Sequence, residues 1–440
     1  MLLCCEVLLV GGSFVLATTF VVGPDAYIAL VYENGILKIL GIAAFALLLS
    51  YYFDLYEPQR ISARWEIYFR LLLVLSALSF ILAGLVYFFP SVEIGPDVLV
   101  VGTCILGIVL IVWRRVYEWI IGLSCFRERV YVLGGGEKAL EVSRILRSRR
   151  DAGMDVVNPE DGGQHIGGLA PFAARLGSAN QRVDRIIVAM EDRRGSMPVR
   201  ELLTLRLRGV RVEDAASVME KLTGRLPLEW LNPSGLIFSD GFNVRPSLQI
   251  ERRLLSILLA CIGLAAALPM VPFIMLAVRL SSPGPILFRQ TRVGRGGRPF
   301  VLRKFRTMRQ DAEAAGAVWA ITNDPRVTPL GRFLRKTRLD EIPQLWNVLL
   351  GEMSFVGPRP ERPEFVEWLT NEIPYYDLRH MIRPGITGWA QVRYKYGASL
   401  EETRRKLEYD LYYVKHLSIG LDLLILFETI KTILMQRGAQ

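Results

Sequence analysis

Cysteine, histidine and lysine are all scarce in this chain, and each shortage closes off a reading. The five cysteines, Cys4, Cys5, Cys104, Cys125 and Cys261, lie in or beside apolar runs without a CxxC spacing. Neither a disulfide framework nor a zinc site follows, and they read as small buried residues. His380 and His416 stand alone without metal-ligand spacing, so structural roles are expected of them. No two aspartates stand two apart, which counts against a glycosyltransferase of the Asp-x-Asp type. No tyrosine stands four residues before a lysine, which counts against an epimerase or dehydratase of the Tyr-x-x-x-Lys type. The opening MLLCCE has no basic stretch, so a cleavable export signal is not expected. Positive charge rests mainly on arginine, whose planar fork suits bidentate phosphate contacts. The net charge of +10 asks for an anionic partner. Nucleic acid is disfavoured in that role, because no aromatic-basic recognition pattern is present.

What is abundant is apolar length. At 440 residues, 51% of them hydrophobic and with a mean hydropathy of +0.30, the chain calls for two or three domains, part of them in lipid. Four runs have spanning length: Leu2–Val22, Ile36–Phe53, Leu71–Phe89 and Val98–Ile121. They predict a transmembrane four-helix bundle over residues 1–125. The connections holding Asp25, Glu33, Glu93 and Asp97 contain no lysine or arginine. By contrast, Arg60, Arg64 and Arg70 follow the second run, and Arg114, Arg115, Arg127 and Arg129 close the fourth. Basic loops face the cytoplasm, so both ends of the bundle are expected there.

A fifth apolar run, residues 254–280, is basic at both ends: Arg252 and Arg253 precede it, and Arg279 and Arg289 lead the following cluster. Crossing the bilayer would place one cluster outside. Pro269 and Pro272 each remove a backbone donor and favour a kink. These features favour a re-entrant helix bent at Pro269, with a kinked full span as the competing path.

Residues 126–226 are soluble in character. RVYVLGGGEKALEVSRILRSRR and VDRIIVAMED read as strand, glycine turn, helix and buried strand, the pattern of an α/β Rossmann-like domain. Gly134, Gly135 and Gly136 do not complete G-x-G-x-x-G, so structural or regulatory duty outweighs nucleotide binding. Residues 227–250 form a connecting segment, with Trp230, Phe238 and Phe242 expected at the membrane interface.

After residue 250 the motifs crowd together. SSPGPILFRQTRVGRGGRPFVLRKFRTM, NDPRVTPLGRFLRKTRLDEIPQLWNVLLGEMSFVGPRPERP, RHMIRPGITGWAQV and YDLYYVKHLSIGLDLLIL follow in order. Taken alone, Asp340 beside Glu341 reads as the cap of a helix over EIPQLWNVLLG, with Pro343 in its first turn. Arg359 lies between Pro358 and Pro360, which limits the entropy it loses on gripping a phosphate. Arg335 stands five residues before Asp340, where it can face a phosphate anion. Lys304, Arg306, Arg383 and Gln391 are further candidates for phosphate or nucleotide contacts. Arg332, Arg338 and Arg393 read as a basic face against anionic headgroups. The last apolar run, SIGLDLLILFETIKTILM, is expected at the interface or packed on the preceding domain.

Taken together, these motifs resemble the bacterial sugar transferase family, the monotopic phosphoglycosyl transferases, over nearly all of Ile250–Gln440. The segments ahead of them resemble the family's long form. Pro269 matches its membrane segment, while Leu268 stands where some members have serine and Ser256 where an acid is usual. The resemblance implies a mainly α monotopic catalytic domain over residues 251–440 with a re-entrant membrane helix. It implies transfer of a sugar 1-phosphate from a UDP-sugar to undecaprenyl phosphate, releasing UMP and starting exopolysaccharide, O-antigen or capsule assembly. Asp340 would then be the nucleophile of a covalent phosphosugar intermediate and a ligand of Mg²⁺. Glu341 would act as a base or within the metal network. The implied location is the bacterial inner membrane, among its lipids, with the catalytic domain on the cytoplasmic face; a homodimer fits the long form. The competing reading is a membrane scaffold or sensor whose Rossmann-like domain binds a nucleotide.

Overall fold

In the computed structural model, the described residues are 2–32, 34–56, 64–88, 95–122, 127–149, 153–157, 183–190, 197–231, 236, 241–242, 244–309, 324–394 and 399–434. The chain divides into two compact units, Met1–Asp214 and Ala215–Gln440.

In the first unit, the long apolar runs become α1 (Leu2–Val22), a short α2 (Ala26–Val31), α3 (Gly35–Tyr52), α4 (Arg64–Phe88) and α5 (Pro96–Gly122). Four segments, Cys5–Val31, Gly35–Tyr52, Glu66–Phe88 and Pro96–Tyr117, are long and apolar enough to cross a membrane. At most 33% of each is buried inside the protein, which leaves wide apolar faces. Phe14, Leu78 and Leu106 are fully buried where the helices meet. Gly102 lies against the Phe14 ring, and a Cβ there would stand 2.5 Å from it. Polar groups gather at one end of the bundle. Glu6 pairs with Arg114 at 3.0 Å and accepts from the Tyr56 hydroxyl. Arg114 also donates to the Leu55 carbonyl at 2.7 Å, and Arg70 donates to that of Phe53 at 3.1 Å. The loop holding Arg60 lies outside the described residues.

The rest of this unit is β1 (Glu128–Leu133), α6 (Glu137–Ser148), β2 (Met154–Val156), β3 (Arg185–Val188), α7 (Val199–Leu207) and β4 (Arg211–Asp214). The strands form a parallel sheet in the order β2-β1-β3-β4, as alternating strand and helix patterns dictate. Gly134 has φ +140°, and a Cβ there would meet the Ala189 carbonyl at 2.7 Å. The glycine run thus has a structural reason: it lets β1 leave the sheet beside the end of β3.

The second unit opens with α8 (Ala215–Thr223) and a 3₁₀ turn, Leu228–Trp230. Leu226 and Leu228 pack with Leu369, Leu407 and Leu411. Trp230 is buried and Phe242 packs into the core of this unit, so these two aromatics do not rest at a lipid interface. Their apolar area is taken up by protein. Phe238 lies outside the described residues. Next come α9 (Pro246–Ala267) and α10 (Val271–Ser281), bent by 68° at a break that contains Pro269. Leu268, Phe273 and Leu280 are 70%, 74% and 77% exposed, so the bent pair presents apolar side chains outward.

An antiparallel hairpin follows, β5 (Leu287–Val293) and β6 (Pro299–Phe305), then α11 (Pro329–Lys336), α12 (Gln344–Leu350) and β7 (Ser354–Val356). The chain closes with α13 (Pro363–Glu372), β8 (Gly385–Thr387) parallel to β7, α14 (Trp389–Arg393), α15 (Leu400–Lys415) and α16 (Ile419–Leu434). Buried Ser256 shows how α9 is moored: its hydroxyl lies 3.0 Å from that of Ser354 and accepts from the Phe355 N–H. Arg252 adds an ion pair to Asp422 at 2.7 Å and a bond to the Val356 carbonyl at 3.0 Å.

Candidate active site

Three local devices bring the acid pair to its place. Thr328 caps α11 by accepting from the Gly331 N–H at 2.9 Å. Gly331 presses on the backbone of Thr307, where a Cβ would stand 2.0 Å from the carbonyl oxygen. The turn after α11 passes through Arg338 in a left-handed conformation (φ +58°), which reverses the chain into a 3₁₀ turn, Leu339–Glu341. Leu339 and Ile342 pack inward with Val278 and Leu334. The cap of α12 is therefore Pro343, not Asp340. Packing of the two flanking, partly buried apolar residues holds the acids in the preceding turn instead.

Both acids are buried, Asp340 at 6% exposure and Glu341 at 8%. Three cations converge on one oxygen of Glu341: Lys304 at 2.9 Å, Arg359 at 3.5 Å and Arg338 at 3.6 Å. Burial resists its ionisation, but Lys304, Arg359 and Arg338 outweigh that and hold its pKa below the usual carboxylate range. At Asp340 burial prevails; with the Glu341 charge it raises the pKa against the pull of Lys304, Arg335 and Arg338. Asp340 Oδ1 is buried and has no hydrogen-bond partner. Arg335, close enough to attract that carboxylate, donates through Nε to the Thr307 hydroxyl at 3.0 Å. The arrangement is one carboxylate with three cations on a single oxygen beside one with a buried, unpartnered oxygen, inside a ring of cations.

The Pro358-Arg359-Pro360 turn is fixed by its backbone. The Pro358 carbonyl accepts from Gly385 at 2.9 Å, that of Arg359 from Arg379 at 3.0 Å, and that of Pro360 from Arg292 at 3.1 Å. Arg379 is itself held by Asp410 at 2.8 Å. From this frame the half-buried Arg359 side chain reaches Glu341 at 3.5 Å.

The sequence candidates thus separate. Lys304, Arg335, Arg359, Asp340 and Glu341 come together, with Pro358 and Pro360 as the frame. Arg306 turns to the end of α10, donating to the Ser282 carbonyl at 2.5 Å and hydroxyl at 3.0 Å. Gln391 donates to the Ile386 carbonyl at 3.2 Å, and Arg383 to that of Gly351 at 2.9 Å. None of these three bonds with the acid pair. Arg338, read as part of a headgroup-facing surface, belongs to the acid cluster; its three-residue spacing from Glu341 was the available signal. Asn347 was missed as well. It is fully buried and ties α12 to β6, donating to the Val301 carbonyl at 2.7 Å and accepting from the Arg303 N–H at 3.2 Å. A lone amide inside the apolar stretch LWNVLL was its signal. Arg379 and Asp410, 31 positions apart, left no local trace.

Helices long and apolar enough to cross a membrane, together with a buried acid pair ringed by cations, mark a membrane-associated protein with a concentrated charged site. The bacterial sugar transferase family matches residues 248–436. Exopolysaccharide production protein PSS of Rhizobium leguminosarum bv. phaseoli is 43% identical over 177 residues, 38% of this chain and 88% of that protein. The UDP-N-acetylgalactosamine-undecaprenyl-phosphate N-acetylgalactosaminephosphotransferase of Aeromonas hydrophila is 44% identical over 223 residues, 51% of this chain and 52% of that protein. The undecaprenyl-phosphate glucose phosphotransferase of Komagataeibacter xylinus is 33% identical over 321 residues, 71% of this chain and 60% of that protein. The chain belongs to the bacterial sugar transferase family. Its match to the Aeromonas protein spans about half of that relative's length.

Proposed function

We propose that this protein is a phosphoglycosyl transferase that moves a sugar 1-phosphate from a UDP-sugar to undecaprenyl phosphate. The observation that carries the reading is Asp340: a buried carboxylate with an unpartnered oxygen, beside a Glu341 whose charge is already answered. In the first step Asp340 Oδ1 attacks the phosphorus that bears the sugar. An acyl–phosphate bond forms, the phosphoanhydride bond breaks, and UMP leaves with its electron pair. In the second step an oxygen of the lipid phosphate attacks the same phosphorus, the acyl–phosphate bond breaks and the Asp340 carboxylate is regenerated. Lys304, Arg335, Arg338 and Arg359 offset the charge of the diphosphate, without which one anion would not approach another. Glu341 holds three of these cations in place and lowers the cost of gathering them.

Among the described residues no three acids, histidines or cysteines stand close enough to form a metal cage. The free Asp340 oxygen next to Glu341 nevertheless suits Mg²⁺, which takes one or two carboxylates and completes its shell with phosphate oxygens and water. Bound there with the donor, Mg²⁺ supplies charge neutralisation at the diphosphate.

In this reading the bent α9–α10 pair enters and leaves the same leaflet, with the basic residues at both its ends at the cytoplasmic headgroups of the inner membrane. The parallel α/β domain is the Rossmann-like part of the long form. The reading is tested by isotope exchange. Labelled UMP should enter UDP-sugar in the presence of Mg²⁺ and the absence of lipid, and Asp340→Asn should abolish the exchange. Exchange that requires lipid would overturn the covalent step.

A further inference from the structure

One cleft of the second unit gathers four arginines, of which a single one is answered by a carboxylate among the described residues. Its walls include Gln249, Arg252, Arg253, Arg295, Ser354 and Arg383. Arg252 is matched by Asp422. The other three arginines are not. Arg253 donates to the carbonyls of Val348 and, at 2.8 Å, Leu349; Arg383 donates to that of Gly351 at 2.9 Å. The exposed Arg295 side chain has no partner among the described residues. Carbonyls orient a guanidinium without cancelling its charge, and the C-terminal end of α12 contributes only about half a negative charge. The strain on the group is visible at Arg383, whose pKa is pushed down by burial and then by Arg253, Arg295 and Arg252. Elsewhere in this unit arginines such as Arg225 and Arg379 have acid partners at 2.7 and 2.8 Å. An uncompensated set of planar forks, two of them held rigid, is the usual recipe for gripping phosphate oxygens.

The position of the cleft points the same way. Arg253 immediately precedes Leu254, and Leu254, Leu258 and Ile262 along α9 are 63%, 56% and 58% exposed. Charged residues at the foot of such a helix lie where lipid phosphates lie. The cleft is at the C-terminal end of α12, and the acid pair is at its N-terminal end. Seven residues of helix separate them, about 10 Å. The phosphate held here is not the one that reacts.

We propose that Arg253, Arg295 and Arg383 form a second anion site that binds a phosphate group, from a lipid headgroup or free in solution, at the foot of α9. The test uses the full chain in dodecyl maltoside micelles, following its melting temperature against inorganic phosphate and, separately, against added phosphatidylglycerol. A rise is expected, and Arg295→Gln and Arg383→Gln should each weaken the apparent affinity by about tenfold. Arg298→Gln, an exposed neighbour outside the cleft, should leave it unchanged. A rise with phosphatidylglycerol alone identifies the lipid as the source; an equal rise with inorganic phosphate identifies the free ion. No rise with either probe, or a rise that Arg298→Gln weakens as much as Arg295→Gln, overturns the site. Arg295 is exposed and makes no contact the fold needs, so its variant stays interpretable if Arg383→Gln fails to fold.

Discussion

At Asp340 burial withdraws the water that an ionised carboxylate prefers, and the neighbouring Glu341 adds like charge; Lys304, Arg335 and Arg338 pull the other way. A nucleophile must be ionised, so UMP formation should rise with pH along an acid limb whose midpoint lies above the ordinary 3.8 of an aspartate. Lys304→Met removes a cation that favours ionisation, and the limb should move to higher pH; an unmoved limb would contradict the assignment. Arg359→Lys keeps the charge but loses the fork, and kcat/KM for UMP formation should fall by about 10- to 100-fold. Asp324 gives a separate stability prediction. Its hydrogen bonds from Arg326 hold its pKa down, from 3.8 to about 2, against burial. A lowered carboxylate pKa adds stability that is complete above 3.8 and disappears as pH falls toward about 2. Asp324→Asn should therefore flatten the loss of stability of the full chain over that window, measured by denaturant unfolding.

The elements around the site depend on close backbone approaches. Gly331 against Thr307 and Gly357 against Gly385 leave no room for a methyl group, since the added Cβ atoms would stand 2.0 and 2.4 Å from backbone oxygens at Thr307 and Arg383. Gly331→Ala should cost about 1–3 kcal/mol, or more if α11 cannot shift, read as a lowered melting temperature together with reduced UMP formation. What was legible in the sequence follows from the range of the signal. Apolar length marked the helices long enough to cross a membrane, and strand–glycine–helix alternation marked the parallel α/β domain. Proline at 269 marked the bend between α9 and α10. The cluster of Lys304, Arg335, Asp340, Glu341 and Arg359 was legible only through the ordered motifs. The left-handed turn at Arg338 was not, because no glycine or asparagine announced it. Nor was the division of Arg306, Arg383 and Gln391 from the acid pair, which is decided by packing between residues far apart in the chain.

For the whole molecule, the composition is explained by what each part meets. The bundle of the first unit pairs buried charges at one of its ends, where Glu6 meets Arg114. Arg114→Met would leave Glu6 buried without its cation and should destabilise the bundle by about 3–5 kcal/mol, seen as earlier unfolding in detergent. The second unit carries exposed apolar side chains on its bent helix pair and arginines without acid partners at its foot, the two features that the proposed transfer to a lipid phosphate calls for. The central claim is the covalent role of Asp340. It is tested most directly by mass spectrometry of the full chain mixed with UDP-sugars and Mg²⁺, without lipid acceptor. The account predicts a hexose-phosphate adduct, or its N-acetylated counterpart, on the peptide holding Asp340, absent in Asp340→Asn. UMP released only after lipid is added, with no adduct on any peptide, would contradict it.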